Sequence, residues 1–248
     1  LHKGRKVVHI DRDARRVVAD DGTVADYDKL LLATGSSPVV IPVPGHDLPG
    51  VLTYRDLDDV EAMLTAAKDG ARAVVVGGGL LGLEAAAGLQ RRGVDVTVLH
   101  LMPTLMERQL DASAGYLLQA AVEERGIKVI TWANTHAILG ADRVTGVKLD
   151  DGTEIPADIV VMAVGIRPNA GLAKAAGIEV NRGVLVDDRL QTSDPNILAV
   201  GECVEHRGVC YGLVAPLYEM ARTIGRNLLG EDVEFGGLAT STKLKVTG

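Results

Sequence analysis

The sequence predicts an α/β fold made of two units that share one topology. Residues 73–76 form a short aliphatic run, followed by a glycine-rich turn, helix-forming residues and a second aliphatic run at 94–101. This order of strand, turn, helix and strand is typical of a parallel sheet covered by helices. In addition, residues 20–39 (DDGTVADYDKLLLATGSSPV) and 150–169 (DDGTEIPADIVVMAVGIRPN) form an internal repeat. Two copies of one supersecondary unit predict two domains of similar build.

The other elements follow from hydrophobic periodicity and turn residues. Strands are predicted at residues 5–10, 15–19, 28–33, 128–132, 136–140, 143–149, 159–164 and 196–200, and helices at 56–68, 83–92, 110–125 and 215–229. In the repeat, a polar spacer is expected between the Asp-Asp-Gly-Thr turn and the buried strand. The proline-containing segment 36–44 is interpreted as an extended linker. In helix 56–68 we expect Leu57, Val60 and Leu64 to share one face.

Composition limits the class of protein. The 248-residue chain has a net charge of −7, which argues against nucleic acid or an anionic membrane as a partner. No apolar run approaches the ~18 residues of a membrane span, and no signal peptide is recognisable. Two cysteines, Cys203 and Cys210, are too few for a disulfide framework and are interpreted as small hydrophobic residues. A cytoplasmic location is therefore expected, and no metal site is predicted, since no ligand cluster accompanies His206.

The turn at residues 77–82, GGGLLG, fits the fingerprint G-x-G-x-x-G between a strand and a helix. Gly77 permits the tight turn, Gly79 lets a pyrophosphate approach the backbone, and Gly82 lets the helix pack closely on the strand. The free N–H groups and the dipole at the helix start would hold the phosphates. We therefore predict a dinucleotide site here, with a glycine-rich turn that binds nothing as the alternative.

The second strand of this unit bears on the choice of nucleotide. An acidic residue that binds the ribose 2′-hydroxyl is expected about 20 residues beyond the glycines. The residue 23 positions after Gly77 is His100, at the end of the second strand. Because no Asp or Glu stands there, NAD is not enforced, and Arg108 is the nearest candidate for a 2′-phosphate. The sequence therefore leaves NADH and NADPH open and predicts weak discrimination between them.

Further segments complete a resemblance to the two-dinucleotide-binding flavoprotein reductases, which use FAD and NAD(P)H. The segments are Leu32 to Gly35 (LATG), Gly77 to Gly82 with Glu84, Ala163 to Asn169 (AVGIRPN) and Ala199 to Glu202 (AVGE). Within that family, the large subunits of assimilatory NAD(P)H nitrite reductases are similar at residues 100–111 (HLMPTLMERQLD), 201–208 (GECVEHRG) and 242–248 (TKLKVTG). Ferredoxin and rubredoxin reductases are near relatives.

The resemblance implies two dinucleotide-binding domains, Rossmann-like and of three layers, with the FAD domain incomplete. Residues 1–49 would begin the FAD-binding domain, residues 50–170 would form the NAD(P)-binding domain, and residues 171–248 would be the C-terminal part of the FAD-binding domain. The glycine-rich turn of the FAD domain is expected before Leu1. We therefore expect this chain to be a fragment that retains FAD poorly or not at all.

The resemblance also implies roles for single residues. NAD(P)H would contact Gly79, Leu80 and Leu81 at its pyrophosphate and Gly165 beside its nicotinamide, with Glu84 as the candidate catalytic residue that positions the carboxamide. The implied FAD contacts are Thr34, Gly35, Arg55, Gly201, Glu202 and Val214. The family usually has Asp where Glu202 stands, and the extra methylene leaves the geometry of its bonds to the ribityl hydroxyls open. Purely structural roles also stay open for Glu84 and Arg55.

The implied reaction is hydride transfer from NAD(P)H to FAD, followed by electron transfer to a downstream iron–sulfur/sirohaem domain or a small redox protein. Iron–sulfur centres need sets of four cysteines, and this chain has two cysteines. The centres would therefore lie outside it. A ferredoxin or rubredoxin reductase is one alternative, and a nucleotide-binding module without turnover is another. A homodimer is left open.

Overall fold

The computed structural model describes residues 1–246, which form two compact units. Unit 1 comprises Leu1–Ser37 and Ile166–Ser241, and unit 2 comprises Pro38–Gly165 with the residues from Thr242 onwards. The sequence predicts boundaries at 49/50 and 170/171 and assigns residues 171–248 to the FAD-binding domain. Which unit binds which cofactor remains a prediction. The last two residues of the 242–248 motif, Thr247 and Gly248, lie outside the described residues.

Short strands and five helices make up residues 1–246. The strands are β1 (Val7–Asp11), β2 (Arg16–Ala19), β3 (Val24–Asp26), β4 (Leu30–Leu32), β5 (Ser36–Pro38), β6 (Val51–Thr53), β7 (Arg72–Val76), β8 (Asp95–Leu99), β9 (Lys128–Ile130), β10 (Thr135–Gly140), β11 (Val144–Leu149), β12 (Glu154–Pro156), β13 (Ile159–Met162), β14 (Ile166–Pro168), β15 (Val184–Val186), β16 (Ile197–Ala199), β17 (Val204–His206) and β18 (Val209–Cys210). The helices are α1 (Leu57–Ala66), α2 (Leu80–Gln90), α3 (Ala112–Glu123), α4 (Gly171–Ala175) and α5 (Val214–Leu228), and Gly201–Cys203 forms one 3-10 turn. None of the helices in this part of the chain is long and apolar enough to cross a membrane.

Unit 2 has three layers around a five-stranded parallel sheet in the order β6-β13-β7-β8-β9. Most residues of its central strands β7, β8 and β13 are aliphatic, because both faces of the sheet are covered. On one face, Val75 and Val161 pack with Leu83 of α2. On the other face, Val74 and Val160 belong to a second core with the antiparallel sheet β10-β11-β12. The α/β prediction with a parallel sheet is thus confirmed.

Unit 1 combines several small sheets with one hydrophobic core. It contains the antiparallel sheet β1-β2-β3, the parallel pair β4 and β16, and the sheet β15-β17-β18. Its core includes Ile197 of β16 and Met220 and Ile224 of α5. The parallel pair aligns the carboxyl ends of β4 and β16, so the turns that follow these strands meet at one edge.

The internal repeat is visible in both units. Strands β1 to β3 form an antiparallel sheet before the parallel strand β4, and β10 to β12 do the same before β13. In each copy the Asp-Asp-Gly-Thr turn is held by its second Asp, because Asp21 accepts a hydrogen bond from the Thr23 N–H (3.1 Å) and Asp151 accepts one from the Thr153 N–H (2.8 Å). These bonds lower the pKa of both carboxyl groups. The prediction of a polar spacer after each of these turns is wrong, because the residues that follow the turns form the strands β3 and β12.

Three further expectations about local structure are corrected. Helix α2 begins at Leu80, because the turn needs fewer residues than expected. Residues 36–38 are not part of a linker but form β5, which pairs with β14. Leu57 and Leu64 do not face the core: their exposed fractions are 78% and 41%, and Met63 is the buried residue of α1.

Candidate functional site

The glycine-rich turn of unit 2 is shaped by close backbone contacts at the ends of β7 and β13. Gly77 has a φ of +120°, and a Cβ atom there would lie 2.3 Å from the carbonyl oxygen of Ala163. A Cβ atom on Gly82 would lie 1.9 Å from the carbonyl oxygen of Gly77. Both positions therefore require glycine, as the fingerprint predicts for the tight turn and for the close packing of helix on strand.

The third glycine of the turn borders open space. Gly79 is the N-cap of α2, with extended backbone, and as a glycine it has no side chain to cap the helix. A Cβ atom built on Gly79 would have no neighbour within 4 Å. The N–H groups of the first turn of α2, which includes Leu80, Leu81 and Gly82, have no acceptor within the helix. This arrangement fits an anionic group such as a pyrophosphate, which the helix dipole would also favour.

His100 follows β8 and points into the turn instead of out of it. Its exposed fraction is 7%. Its Nδ1 atom accepts a hydrogen bond from the Gly78 N–H (3.1 Å), and its Nε2 atom lies 3.0 Å from Oε2 of Glu107. A Cβ atom on Gly78 would lie 2.8 Å from Cγ of His100, so the imidazole rests directly on the glycine turn. The spacing from Gly77 located His100 but could not show this inward orientation.

The other predicted nicotinamide-side residues lie in the same unit. Gly165 follows β13, has a φ of +117°, and has open space where a Cβ atom would lie. Its carbonyl oxygen accepts a hydrogen bond from the Val39 N–H. Glu84 is a partly exposed residue on the second turn of α2. Tyr54, which sequence reasoning missed, lies near it: burial raises the pKa of this phenol, and the charge of Glu84 raises it further.

A second set of predicted residues meets in unit 1, after the parallel strands β4 and β16. Gly35 has a φ of +65° and Gly201 a φ of +89°, and neither would have a neighbour within 4 Å of an added Cβ atom. Glu202 is buried, and its Oε2 atom accepts a hydrogen bond from the hydroxyl of Ser36 (2.7 Å). Thr34 donates its hydroxyl proton to the carbonyl oxygen of Asn169 (2.7 Å).

Asn169 and Ser36 were not predicted as partners, although both lie in the repeat. The side-chain amide of Asn169 donates to the Thr34 carbonyl oxygen (3.0 Å), and its Oδ1 atom accepts from the hydroxyl of Ser37 (2.8 Å). These bonds fix the turn after β4 against the segment after β14. The AVGIRPN motif could have indicated a role for Asn169, because Asn169 is its last residue.

The remaining predicted residues are located as follows. Val214 is the first residue of α5 in unit 1, and 66% of it is exposed. Arg55 precedes α1 in unit 2, and its backbone N–H donates to Oδ2 of Asp59 (2.7 Å). His206 is buried and contacts Asp188 through Nε2 (2.8 Å). Within the described part of the chain, no group of three or more His, Cys, Asp or Glu residues is arranged to hold a metal ion.

A parallel sheet with this glycine turn, together with a repeated unit, defines a dinucleotide-binding α/β protein. The model of the pyridine nucleotide-disulphide oxidoreductase family matches residues 1–223, and the chain belongs to that family. The nitrite reductase [NAD(P)H] of Bacillus subtilis (strain 168) is 51% identical over the whole chain, which covers 31% of that relative. The assimilatory nitrate reductase electron transfer subunit of the same organism is 45% identical over the whole chain, which covers 32% of it.

Solved structures agree with this family. A ferredoxin reductase from Rhodopseudomonas palustris is 34% identical with a TM-score of 0.89, over 94% of this chain and 59% of that one. An NAD-dependent persulfide reductase from A. fulgidus is 31% identical with a TM-score of 0.93, over 98% of this chain and 47% of that one. The chain spans about a third of the length of the two curated relatives.

Proposed function

We propose that this chain is the pyridine-nucleotide and flavin reductase portion of a nitrite reductase large subunit. NAD(P)H binds unit 2, unit 1 contributes to the FAD site of the full-length protein, and electrons pass on to iron–sulfur and sirohaem centres outside this chain. The observation that carries the proposal is the turn at residues 77–82, where glycine is required at two positions and open space lies over the third. The 51% identity to a nitrite reductase over the whole chain supports the choice of enzyme.

The residues of this chain bind and orient the two cofactors. The N–H groups at the start of α2 hold the NAD(P)H pyrophosphate, Gly165 lets the nicotinamide approach the backbone, and Glu84 positions the carboxamide. The bound cofactors themselves supply the hydride and electron chemistry. In unit 1, Thr34, Gly35 and Gly201 contact FAD, and Glu202 provides the carboxylate for its ribityl hydroxyls. Val214 is the remaining proposed FAD contact in unit 1, and the FAD contact expected of Arg55, which lies in unit 2, stays a prediction.

A ferredoxin or rubredoxin reductase is the second candidate. The TM-score of 0.89 to a ferredoxin reductase favours it, since the reductase fold is shared and only the electron acceptor differs. The third candidate, a module that binds nucleotide without turnover, differs in a measurable way. Oxidation of NAD(P)H at 340 nm with added FAD and ferricyanide is expected for a reductase and absent for a binding module.

The nucleotide site itself is tested by Gly79→Val, which places a branched side chain in the open space above the turn. The backbone of Gly79 is extended, with φ −85°, so valine fits without strain. We expect the dissociation constant for NADH, measured by titration calorimetry, to rise at least about tenfold, a loss of about 1.4 kcal/mol.

Gly88→Val on the same helix is the matched control, because a Cβ atom there also has no neighbour within 4 Å. It is expected to leave NADH affinity unchanged. An unchanged affinity in Gly79→Val would show that the pyrophosphate does not lie over Gly79.

A further inference from the structure

Both ring nitrogens of His100 are already engaged within unit 2. Because a backbone N–H, that of Gly78, donates to Nδ1, the ring proton must be on Nε2, where it is donated to Glu107. The imidazole therefore has no nitrogen left for a ribose hydroxyl. At the position where the ribose-binding acid is expected, His100 instead supports the glycine turn and contacts the carboxylate of Glu107.

The segment that carries this carboxylate is tied to the same turn. The Met106 N–H donates to the carbonyl oxygen of Gly78 (3.1 Å), so both polar backbone groups of Gly78 are bonded on this side. Met106 has a left-handed backbone with a φ of +51°, which is uncommon for a residue other than glycine and is found preferentially at functional sites. Thr104, Leu105 and Met106 are buried, and Glu107 is the first residue of the segment to emerge.

Glu107 keeps the capacity to accept further hydrogen bonds. An ionised carboxylate has about four acceptor positions. Oε2 of Glu107 is bonded to His100, whereas Oε1 lies 3.9 Å from Nε of Arg108, whose side chain is 86% exposed. Such an exposed ion pair contributes little to stability, so Oε1 of Glu107 can readily accept a hydrogen bond from another partner. The side chain of Glu107 is 28% exposed, which leaves its carboxylate accessible to a ligand at the turn.

We propose that Glu107 recognises the adenosine ribose of NADH and disfavours NADPH, with His100 as its positioning residue. The carboxylate accepts hydrogen bonds from the ribose hydroxyls and repels a 2′-phosphate, which carries a charge of about −2. The acid that the sequence lacks at position 100 is thus supplied seven residues later, through the imidazole. This inference rests on the proposed function, since it concerns the same nucleotide site.

Glu107→Gln is the direct test, because it removes the charge while its amide oxygen can still accept the proton of His100. Dissociation constants for NADH and NADPH are measured by titration calorimetry on the full chain. The parent is expected to bind NADH more tightly, in place of the weak discrimination predicted from position 100 alone. In Glu107→Gln the ratio of the NADPH constant to the NADH constant is expected to fall about tenfold, or about 1.4 kcal/mol.

Two further variants separate this role from a general effect of charge. Glu124→Gln, at the exposed C-cap of α3, removes the same charge from the same unit and is expected to leave the ratio unchanged. In the double variant Glu107→Gln/Arg108→Gln, the gain in NADPH affinity is expected to be smaller, because Arg108 is the cation released when Glu107 is neutralised, but the part that comes from the removed repulsion should remain.

The positioning role of His100 is tested by His100→Leu, which keeps the bulk of the side chain. His100→Leu is expected to lower the ratio of the NADPH constant to the NADH constant as Glu107→Gln does. The double variant His100→Leu/Glu107→Gln should lower it no further, since the two residues act as a unit. Thermal unfolding is measured beside it, because lost stability alone would weaken both nucleotides equally. An unchanged ratio in Glu107→Gln would overturn the role of Glu107 alone. A parent that binds neither nucleotide would overturn the proposed function and this inference together.

Discussion

At the residue scale, three glycines of one turn have different physical roles. Backbone oxygens of the protein itself exclude a side chain at Gly77 and Gly82, whereas open space borders Gly79. The first two therefore determine how the turn folds, and the third determines what can approach it. This distinction predicts that substitutions at Gly82 and Gly79 will have different effects on stability and on binding.

Gly82→Ala is expected to destabilise unit 2, because the new Cβ atom would lie 1.9 Å from the Gly77 carbonyl oxygen. Overpacking of this kind costs about 1–3 kcal/mol. Gly88→Ala in the same helix is expected to stabilise it by about 0.5–1 kcal/mol, since glycine is unfavourable inside a helix and the space around it is open. Urea unfolding followed by circular dichroism measures both effects. Equal unfolding midpoints for the two variants would contradict the close approach at Gly82.

The sequence predicted these glycines but not the orientation of His100. The fingerprint follows from local geometry, since a tight turn and close packing leave no room for a side chain. The inward rotation of His100 depends on the Gly78 N–H and on Glu107, which is brought to it by the left-handed backbone at Met106. Spacing along the chain cannot show such a tertiary contact.

At the element scale, two ion pairs between the starts of neighbouring strands fasten the amino end of the parallel sheet in unit 2: Lys128 with Asp95, and Arg72 with Asp158. Arg72 begins β7, and Asp158 immediately precedes β13. The guanidinium of Arg72 donates to both carboxylate oxygens of Asp158 (3.0 and 2.8 Å), and the Arg72 N–H donates to the same carboxylate (3.0 Å). The side-chain hydrogen bonds from Arg72, followed by its backbone hydrogen bond, lower the pKa of Asp158 from 3.8 to about 2.

Because folding lowers this pKa, the stabilisation is complete above pH 3.8 and is lost as the pH falls towards about 2. The two side chains are 46% and 42% exposed, so solvent screening limits the contribution to about 1 kcal/mol or less. Asp158→Asn should lower the urea midpoint at neutral pH, and its difference from the parent should shrink as the pH falls through this window. Asp142→Asn, in an exposed turn of the same unit, is the control. A difference that does not change with pH would exclude the ion pair as its cause.

Among the elements, long buried runs were predictable and short half-exposed strands were not. Strands β7, β8 and β13 are mostly aliphatic and buried, and α2 follows the fingerprint directly. Strands β3, β5 and β12 have three residues each, and β5 and β12 end in proline, so local pattern favoured spacers or a linker. Leu57 and Leu64 had helical spacing, yet Met63 took the core position of α1, because tertiary packing chose the buried face.

At the scale of the whole molecule, each unit has its own hydrophobic core. Met220 and Ile197 belong to the core of unit 1, and Leu83 and Val75 to one core of unit 2. Parts of a chain that bury separate cores can open separately, and native-state hydrogen exchange detects such openings. The repeat that predicted two similar units thus also predicts two cooperative units of unfolding.

Met220→Ala tests this directly, because Met220 is 0% exposed in the core of unit 1. Its truncation should cost about 2–5 kcal/mol and accelerate amide exchange in β4, β16 and α5. The amides of β7 and β8 in unit 2 should keep their parental rates. Leu83→Ala, which empties an equally buried site in unit 2, should give the opposite pattern. If either substitution accelerates exchange equally in both units, the chain opens as one cooperative structure and the two cores do not define independent units.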